Sequence, residues 1–127
     1  MQTTTNPTGL CGIDFVEFAS ADPDALHALF VAFGFSRVGR HRTLDVDLYR
    51  QNDITFLLNR EASGHAGAFR DRHGPSICSM GWRFHDAVDG NAAAVRGGAR
   101  PYTESGSTLD NPAIYGIGDS LIYFMDG

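Results

Sequence analysis

Residues 12–35, GIDFVEFASADPDALHALFVAFGF, decide the fold, because they read as a strand, a capped helix and a glycine stop in unbroken succession. In the strand, residues 13–19, side chains alternate, so Phe15, Glu17 and Ala19 share one face while Val16 and Phe18 share the other. Apolar groups on both faces predict a strand covered by a helix on one side and lining a partly enclosed cavity on the other. Ser20 or Asp22 supplies the helix N-cap and Pro23 suits the first turn. Leu26, Leu29, Phe30 and Phe33 recur at helical spacing, Gly34 ends the helix as a left-handed cap, and Phe35 opens the next strand.

Composition bounds the rest. A chain of 127 residues, 43% hydrophobic and 20% charged, suits one globular domain with a core of its own. The net charge is -5, and the ten basic residues are all arginines without clustering. No basic stripe exists to hold a phosphate backbone, so nucleic acid is not an expected partner. The polar start MQTTTNPTG lacks a signal pattern, and no apolar run approaches the roughly 20 residues of a membrane helix, so a cytoplasmic chain with no membrane partner is expected. Cys11 and Cys78 have neither CxxC spacing nor a framework of companions, which predicts reduced, buried thiols.

Shifting the chain by 64 residues lays residues 11–40 over residues 75–104 without a gap. Asp22 meets Asp86 at the helix start, Gly34 meets Gly98 at its end, and Ala28 and Val31 meet Ala92 and Val95. Strand-forming segments follow each helix, at 35–42, 46–50 and 54–59 in the first half and at 100–104, 113–115 and 121–125 in the second. Residues 61–73 between the halves read as a helix broken by Gly64 and Gly67. The fold class is therefore α+β: two βαβββ modules, about 11–60 and 75–126, forming two curved sheets around a concave cup with helices outside.

Four stretches carry a resemblance to a known family: NPTGLCGIDFVEFAS (6–20), LYRQNDITFLLN (48–59), HGPSICSMGWRFHDA (73–87) and NPAIYGIGDSLIYFMD (111–126). Their order and spacing resemble the vicinal oxygen chelate fold of glyoxalase-like proteins, and within it the N-terminal domain of 4-hydroxyphenylpyruvate dioxygenase. Hydroxymandelate synthases share that architecture, and some bacterial dehydroshikimate dehydratases carry a dioxygenase-like half. In metal-binding members the ligands stand at cup-facing positions of the first, fourth, fifth and eighth strands. The resemblance places Phe15, approximately Asn59, Ser79 and Tyr123 there. None is a first-choice ligand for iron or zinc, since phenylalanine has no donor atom and neutral serine, asparagine and tyrosine are weak beside imidazole or carboxylate. No metal, cofactor or catalytic residue is expected in this chain. The resemblance implies that Fe(II) belongs to a C-terminal catalytic domain, which is absent from these residues.

Strand alternation points Glu17 and Arg83 into the cup from what are expected to be neighbouring strands, so a buried Glu17–Arg83 ion pair is expected where a metal would otherwise sit. Phe15 and Tyr123 face the cup as plug or lining. Glu61, His65 and His73 would share one edge of an unbroken helix, able to catch a metal from solution, but the intervening glycines argue against it. His27, His41 and His85 are read as solvated, and residues 116–118 as a turn, because no helix follows to make a dinucleotide loop.

Three functional readings follow. The first is a metal-free, structural N-terminal domain of a 4-hydroxyphenylpyruvate dioxygenase-like enzyme, which the stop directly after the last strand suits; a homo-oligomer is expected because a domain that normally packs on a second one leaves an apolar patch exposed when isolated. The second is a free-standing small-molecule-binding protein of the same fold, and the dehydratase-like half stands beside it. The third, a metalloenzyme with unconventional ligands, is disfavoured by Phe15, Ser79 and Tyr123.

Overall fold

The computed structural model describes residues 6–127. Its elements are β1 (Leu10–Ala19), α1 (Pro23–Ala32), β2 (Ser36–Arg40), β3 (Val46–Gln51), β4 (Ile54–Asn59), α2 (Gly64–His73), β5 (Ser76–Phe84), α3 (Ala87–Arg96), β6 (Ala113–Tyr115) and β7 (Leu121–Asp126). A short 3₁₀ turn, Ile117–Asp119, precedes β7.

Both modules begin and end their helix by the same chemistry. The Asp22 carboxylate accepts from the Ala25 amide in α1, and that of Asp86 accepts from the Asp89 amide in α3. At the far ends, Phe35 N–H reaches Phe30 O and Gly34 N–H reaches Val31 O, while Ala99 N–H reaches Ala94 O and Gly98 N–H reaches Val95 O. These are paired Schellman closures, and each places its glycine at positive φ, +95° for Gly34 and +108° for Gly98.

The strands form one seven-stranded mixed sheet in the order β2-β3-β4-β1-β5-β7-β6, in place of two separate sheets. Each module pairs its first strand in parallel with its last, β1 with β4 and β5 with β7. The modules join through the antiparallel β1–β5 pair, whose long strands extend the ladder across the pseudo-twofold. The strand expected at 100–104 is reduced to a single bridge, Pro101 to Ile114. Pro101 has no amide hydrogen to continue a ladder. The first-module strand expected at 35–42 is likewise shorter, spanning Ser36–Arg40.

One face of the sheet is covered by α1 and α3. Phe30 of α1 is buried against Phe35, Tyr49 and Leu58, with Phe18 and Phe56 around it. Burying such a side chain contributes about 1.5–3 kcal/mol. Ala87 of α3 packs with Phe84 and Phe124. The opposite, inner face carries Phe15, Leu121 and Tyr123. At one end of that face α2 lays Ala66 and Phe69 on Ala19 and Cys78. The helix is unbroken from 64 to 73: Gly64 starts it, and a side chain at Gly67 would collide with the carbonyl of Ala62, so glycine is what lets the chain turn in tightly there. Of the two thiols, Cys78 is buried and Cys11 is exposed near the start of β1, where the register with β5 shifts, correcting the expectation for the latter.

Candidate functional site

The inner face answers why a phenylalanine stands at position 15. Phe15 on β1 lies opposite Gly81 on β5, and Gly81 lies opposite Tyr123 on β7. A Cβ on Gly81 would fall within 2.2 Å of the Phe15 ring, so the missing side chain is the space the ring occupies. The ring then meets Tyr123 at a centroid distance of 5.9 Å, tilted by 40°. Three adjacent strands thus contribute ring, gap and ring.

One step along β1, Glu17 is only 1% exposed and sits among neutral donors. Ser79 Oγ donates to Glu17 Oε1 at 2.6 Å, Thr108 Oγ1 donates to Oε2 at 2.6 Å, and Asn59 Nδ2 donates to Oε2 at 3.0 Å. Hydrogen bonds to a charged group contribute about 1.5–3 kcal/mol each, which offsets the dehydration of the carboxylate without a cation. Asn59 is oriented for this task because its Oδ1 accepts the Glu61 amide at 2.8 Å, leaving the amide nitrogen to face Glu17. A bulge in β5 helps: Glu17 pairs with Ser79 and Phe18 with Ile77, so Cys78 is the extra residue, and Cys78 and Ser79 are both fully buried.

The segment 102–111 crosses this face as a strap. Its Thr108 is held from two sides, since Tyr123 Oη accepts the Thr108 amide at 3.0 Å while the threonine hydroxyl serves Glu17. Gly106 O accepts the His65 amide at 2.9 Å, tying the strap to the start of α2. Burial pushes the Cys78 thiol well up, and the nearby Glu17 charge pushes in the same direction. Burial, with Glu17 second, raises the Tyr123 hydroxyl too. Both stay protonated and neutral.

The expected Glu17–Arg83 ion pair does not form. The antiparallel register sets Glu17 opposite Ser79 but Arg83 opposite Gly12, four residues along β5, or about 13 Å of strand. Arg83 instead meets Asp14 at 3.4 Å, with its side chain 40% exposed. Of the four expected ligand positions, Asn59 and Ser79 are brought together on Glu17, Tyr123 holds the strap beside them, and Phe15 fills the adjacent gap.

The histidines lie elsewhere. His65 Nε2 donates to Asp119 O at 2.8 Å and His73 Nε2 to Gly118 O at 3.1 Å, so α2 uses both to hold the turn before β7. His27, expected in solvent, is half-buried with Nδ1 2.6 Å from Tyr49 Oη. A ferrous site needs imidazole and carboxylate donors converging with room for the ion. Here one carboxylate is saturated by hydroxyl and amide donors, and among the described residues no three of His, Cys, Asp and Glu converge. The residues present do not fit an iron centre.

Sequence reasoning missed Thr108 altogether. It lies 91 residues from Glu17, in a loop with neither periodicity nor motif, so nothing local marks it. Also unforeseen is Asp47, fully buried, with Arg60 at 3.1 Å and Arg37 and Arg40 each at 3.5 Å.

A family model described as hydroxyphenylpyruvate dioxygenase, HPPD, N-terminal, matches residues 4–127. Protein MelA of Shewanella colwelliana is 51% identical over 126 residues, which are 99% of this chain and 36% of that protein. A 4-hydroxyphenylpyruvate dioxygenase of a Pseudomonas species is 42% identical over 123 residues, 95% of this chain and 34% of the enzyme. A 3-dehydroshikimate dehydratase of Pseudomonas aeruginosa is 34% identical, covering 94% of this chain and 20% of that protein. The chain therefore spans about a third of the length of the first of these relatives. Among solved structures, a xylose isomerase-like TIM barrel/4-hydroxyphenylpyruvate dioxygenase fusion protein superposes with a TM-score of 0.85 at 28% identity, over 97% of this chain and 21% of that one. A methylmalonyl-CoA epimerase from Mycobacterium tuberculosis gives 0.71 at 20% identity, over 97% of this chain and 92% of that one, a likeness of fold.

Proposed function

The chain belongs to the family of hydroxyphenylpyruvate dioxygenase N-terminal domains, and from that membership we propose that it is the metal-free, structural half of a 4-hydroxyphenylpyruvate dioxygenase-like enzyme. In the complete protein a C-terminal domain would use Fe(II) and dioxygen to convert 4-hydroxyphenylpyruvate to homogentisate, in tyrosine breakdown in the cytoplasm and within a homo-oligomer. The division into modules of about 11–60 and 75–126 with the catalytic domain lying beyond belongs to the same proposal. The observation that carries the structural role is the closed inner face. Glu17 is spent on Ser79, Asn59 and Thr108, and Phe15 occupies the gap over Gly81. Such a face contributes rigidity to a neighbour rather than a reaction centre.

The fold match to the TIM-barrel fusion favours a second reading, the dioxygenase-like half of a dehydroshikimate dehydratase. Higher identity to the dioxygenase relatives puts it second. The test of the first reading is anaerobic loading of the purified chain with ferrous iron, then addition of 4-hydroxyphenylpyruvate and oxygen. No stoichiometric iron and no substrate-dependent oxygen uptake are expected. One iron per chain with substrate-dependent uptake would overturn the assignment.

A further inference from the structure

A cleft of about 740 Å³ opens between α2 and the segment 100–105, outside the Glu17 cluster. At one end, two guanidiniums from separate parts of the chain converge on a single carboxylate. Arg100 Nη2 lies 2.5 Å from Asp119 Oδ1, and Arg72 Nη1 of α2 lies 3.7 Å from Asp119 Oδ2. Two positive charges therefore share one negative charge, and with side chains 64% and 52% exposed both arginines keep N–H donors open to solvent.

The carboxylate is placed there by a constrained turn. Gly118 and Asp119 both have φ of +66°, uncommon for a residue with a side chain, and the turn is clamped by the bonds from His65 and His73 to the Asp119 and Gly118 carbonyls. The remaining walls are flat and aromatic. Tyr102 and Tyr115 stand edge to face with centroids 5.5 Å apart, and the Arg100 guanidinium lies over the Tyr115 ring at 4.1 Å. Glu104 takes the Tyr115 hydroxyl at 2.8 Å, so the tyrosine end carries negative charge.

Each wall selects for something. Guanidiniums with free fork donors match a carboxylate in plane and spacing. Tyrosine faces and a stacked guanidinium match an aromatic ring. Glu104 repels a second negative charge at the ring's far end. We propose that this cleft binds a small aromatic monocarboxylate, its carboxylate seated on Arg72 and Arg100 and its ring against Tyr102 and Tyr115. Asp119 acts there as an internal competitor: its carboxylate holds the seat when no ligand is bound. The assignment is independent of the iron-free reading, because none of these residues touches Glu17 or its donors.

The probe is benzoate, titrated into the purified chain by calorimetry, with acetate as the ring-free control and terephthalate as the dianionic one. Saturable benzoate binding is expected, with acetate and terephthalate each weaker by about tenfold or more. Asp119→Asn frees both arginines while keeping a residue that tolerates positive φ, and is expected to tighten benzoate several-fold. Arg100→Ala is expected to weaken it by about tenfold or more. Should Arg100→Ala fail to fold, Arg72→Gln, at a half-exposed position of α2, serves the same comparison with a smaller loss. Absence of saturable benzoate binding to the folded Asp119→Asn protein overturns the proposal. So does unchanged affinity in a folded arginine variant, or acetate binding as tightly as benzoate.

Discussion

Removing Arg83 and removing Thr108 have different consequences for Glu17, and the difference is measurable. Arg83 is about four residues of strand away from the carboxylate and serves Asp14, so Glu17→Gln and Arg83→Gln are expected to act additively within about 0.5 kcal/mol. Thr108 donates a 2.6 Å bond to the same carboxylate, so Glu17→Gln and Thr108→Val are expected to couple by about 1–3 kcal/mol in urea unfolding. A sizeable Glu17–Arg83 coupling, or a negligible one with Thr108, would contradict the geometry. Side-chain alternation along single strands was enough to place Phe15, Glu17 and Ser79 on one face. It did not reveal what Glu17 touches, because contacts across a strand pair depend on register, and β1 and β5 shift register three times along their length. The strap is harder still, since Thr108 reaches Glu17 only through the tertiary path of a loop.

At the scale of elements, the helices show how local signals survive folding. The caps, the start at Pro23 and the glycine stops were legible because each satisfies helix-end groups using neighbours in sequence. The two stops are nevertheless not equal. A methyl group on Gly98 would meet nothing within 4 Å, whereas on Gly34 it would come within 2.5 Å of Gln51 Nε2, which donates to the Phe33 carbonyl. Gly98→Ala is therefore expected to cost backbone strain alone, about 1–2 kcal/mol, and Gly34→Ala that strain plus the displaced Gln51 bond. Thermal or urea denaturation of the two variants measures the gap, and equal losses would show that Gln51 shifts freely. The continuity of α2 through its glycines is not legible in sequence, for a related reason. Composition records Gly67 as a breaker, but the approach of the Ala62 carbonyl that makes glycine necessary is visible only in three dimensions.

For the molecule as a whole, the half-to-half repeat revealed the pseudo-symmetry, while the merging of both halves into one sheet was not legible. Periodicity says which face a residue takes and is silent about which strands share an edge. The shared interior has a consequence for pH. Cys78 and Tyr123 are both held protonated by burial, with Glu17 adding to each, so their folded values lie above the ordinary 9.0 and 10.0. In the unfolded chain each proton is released near its ordinary value. Their contribution is thus fully present below about pH 9 and is lost as pH rises through the raised folded values. Urea midpoints are expected to hold level from neutral pH to about pH 9 and then fall, less steeply in Cys78→Ala than in the parent chain. An identical alkaline fall in both would remove Cys78 from the account.

The position of Tyr123 matters also for the order in which a ribosome delivers the chain. The strand that carries it, β7, lies inside the sheet between β5 and β6, and its hydroxyl is what receives the strap at Thr108. Residues 10–59 hold a complete first module early in synthesis. Phe15, by contrast, waits on the Tyr123 ring and the strap on the Tyr123 hydroxyl, so a nascent chain paused before residue 121 has a sheet lacking β7 and no pairing partner for β6 except Pro101, although Asn59, Ser79 and Thr108 are already there for Glu17. Closure of the inner face therefore follows the first module in synthesis, because the ring that meets Phe15 and the hydroxyl that receives the strap both lie on β7.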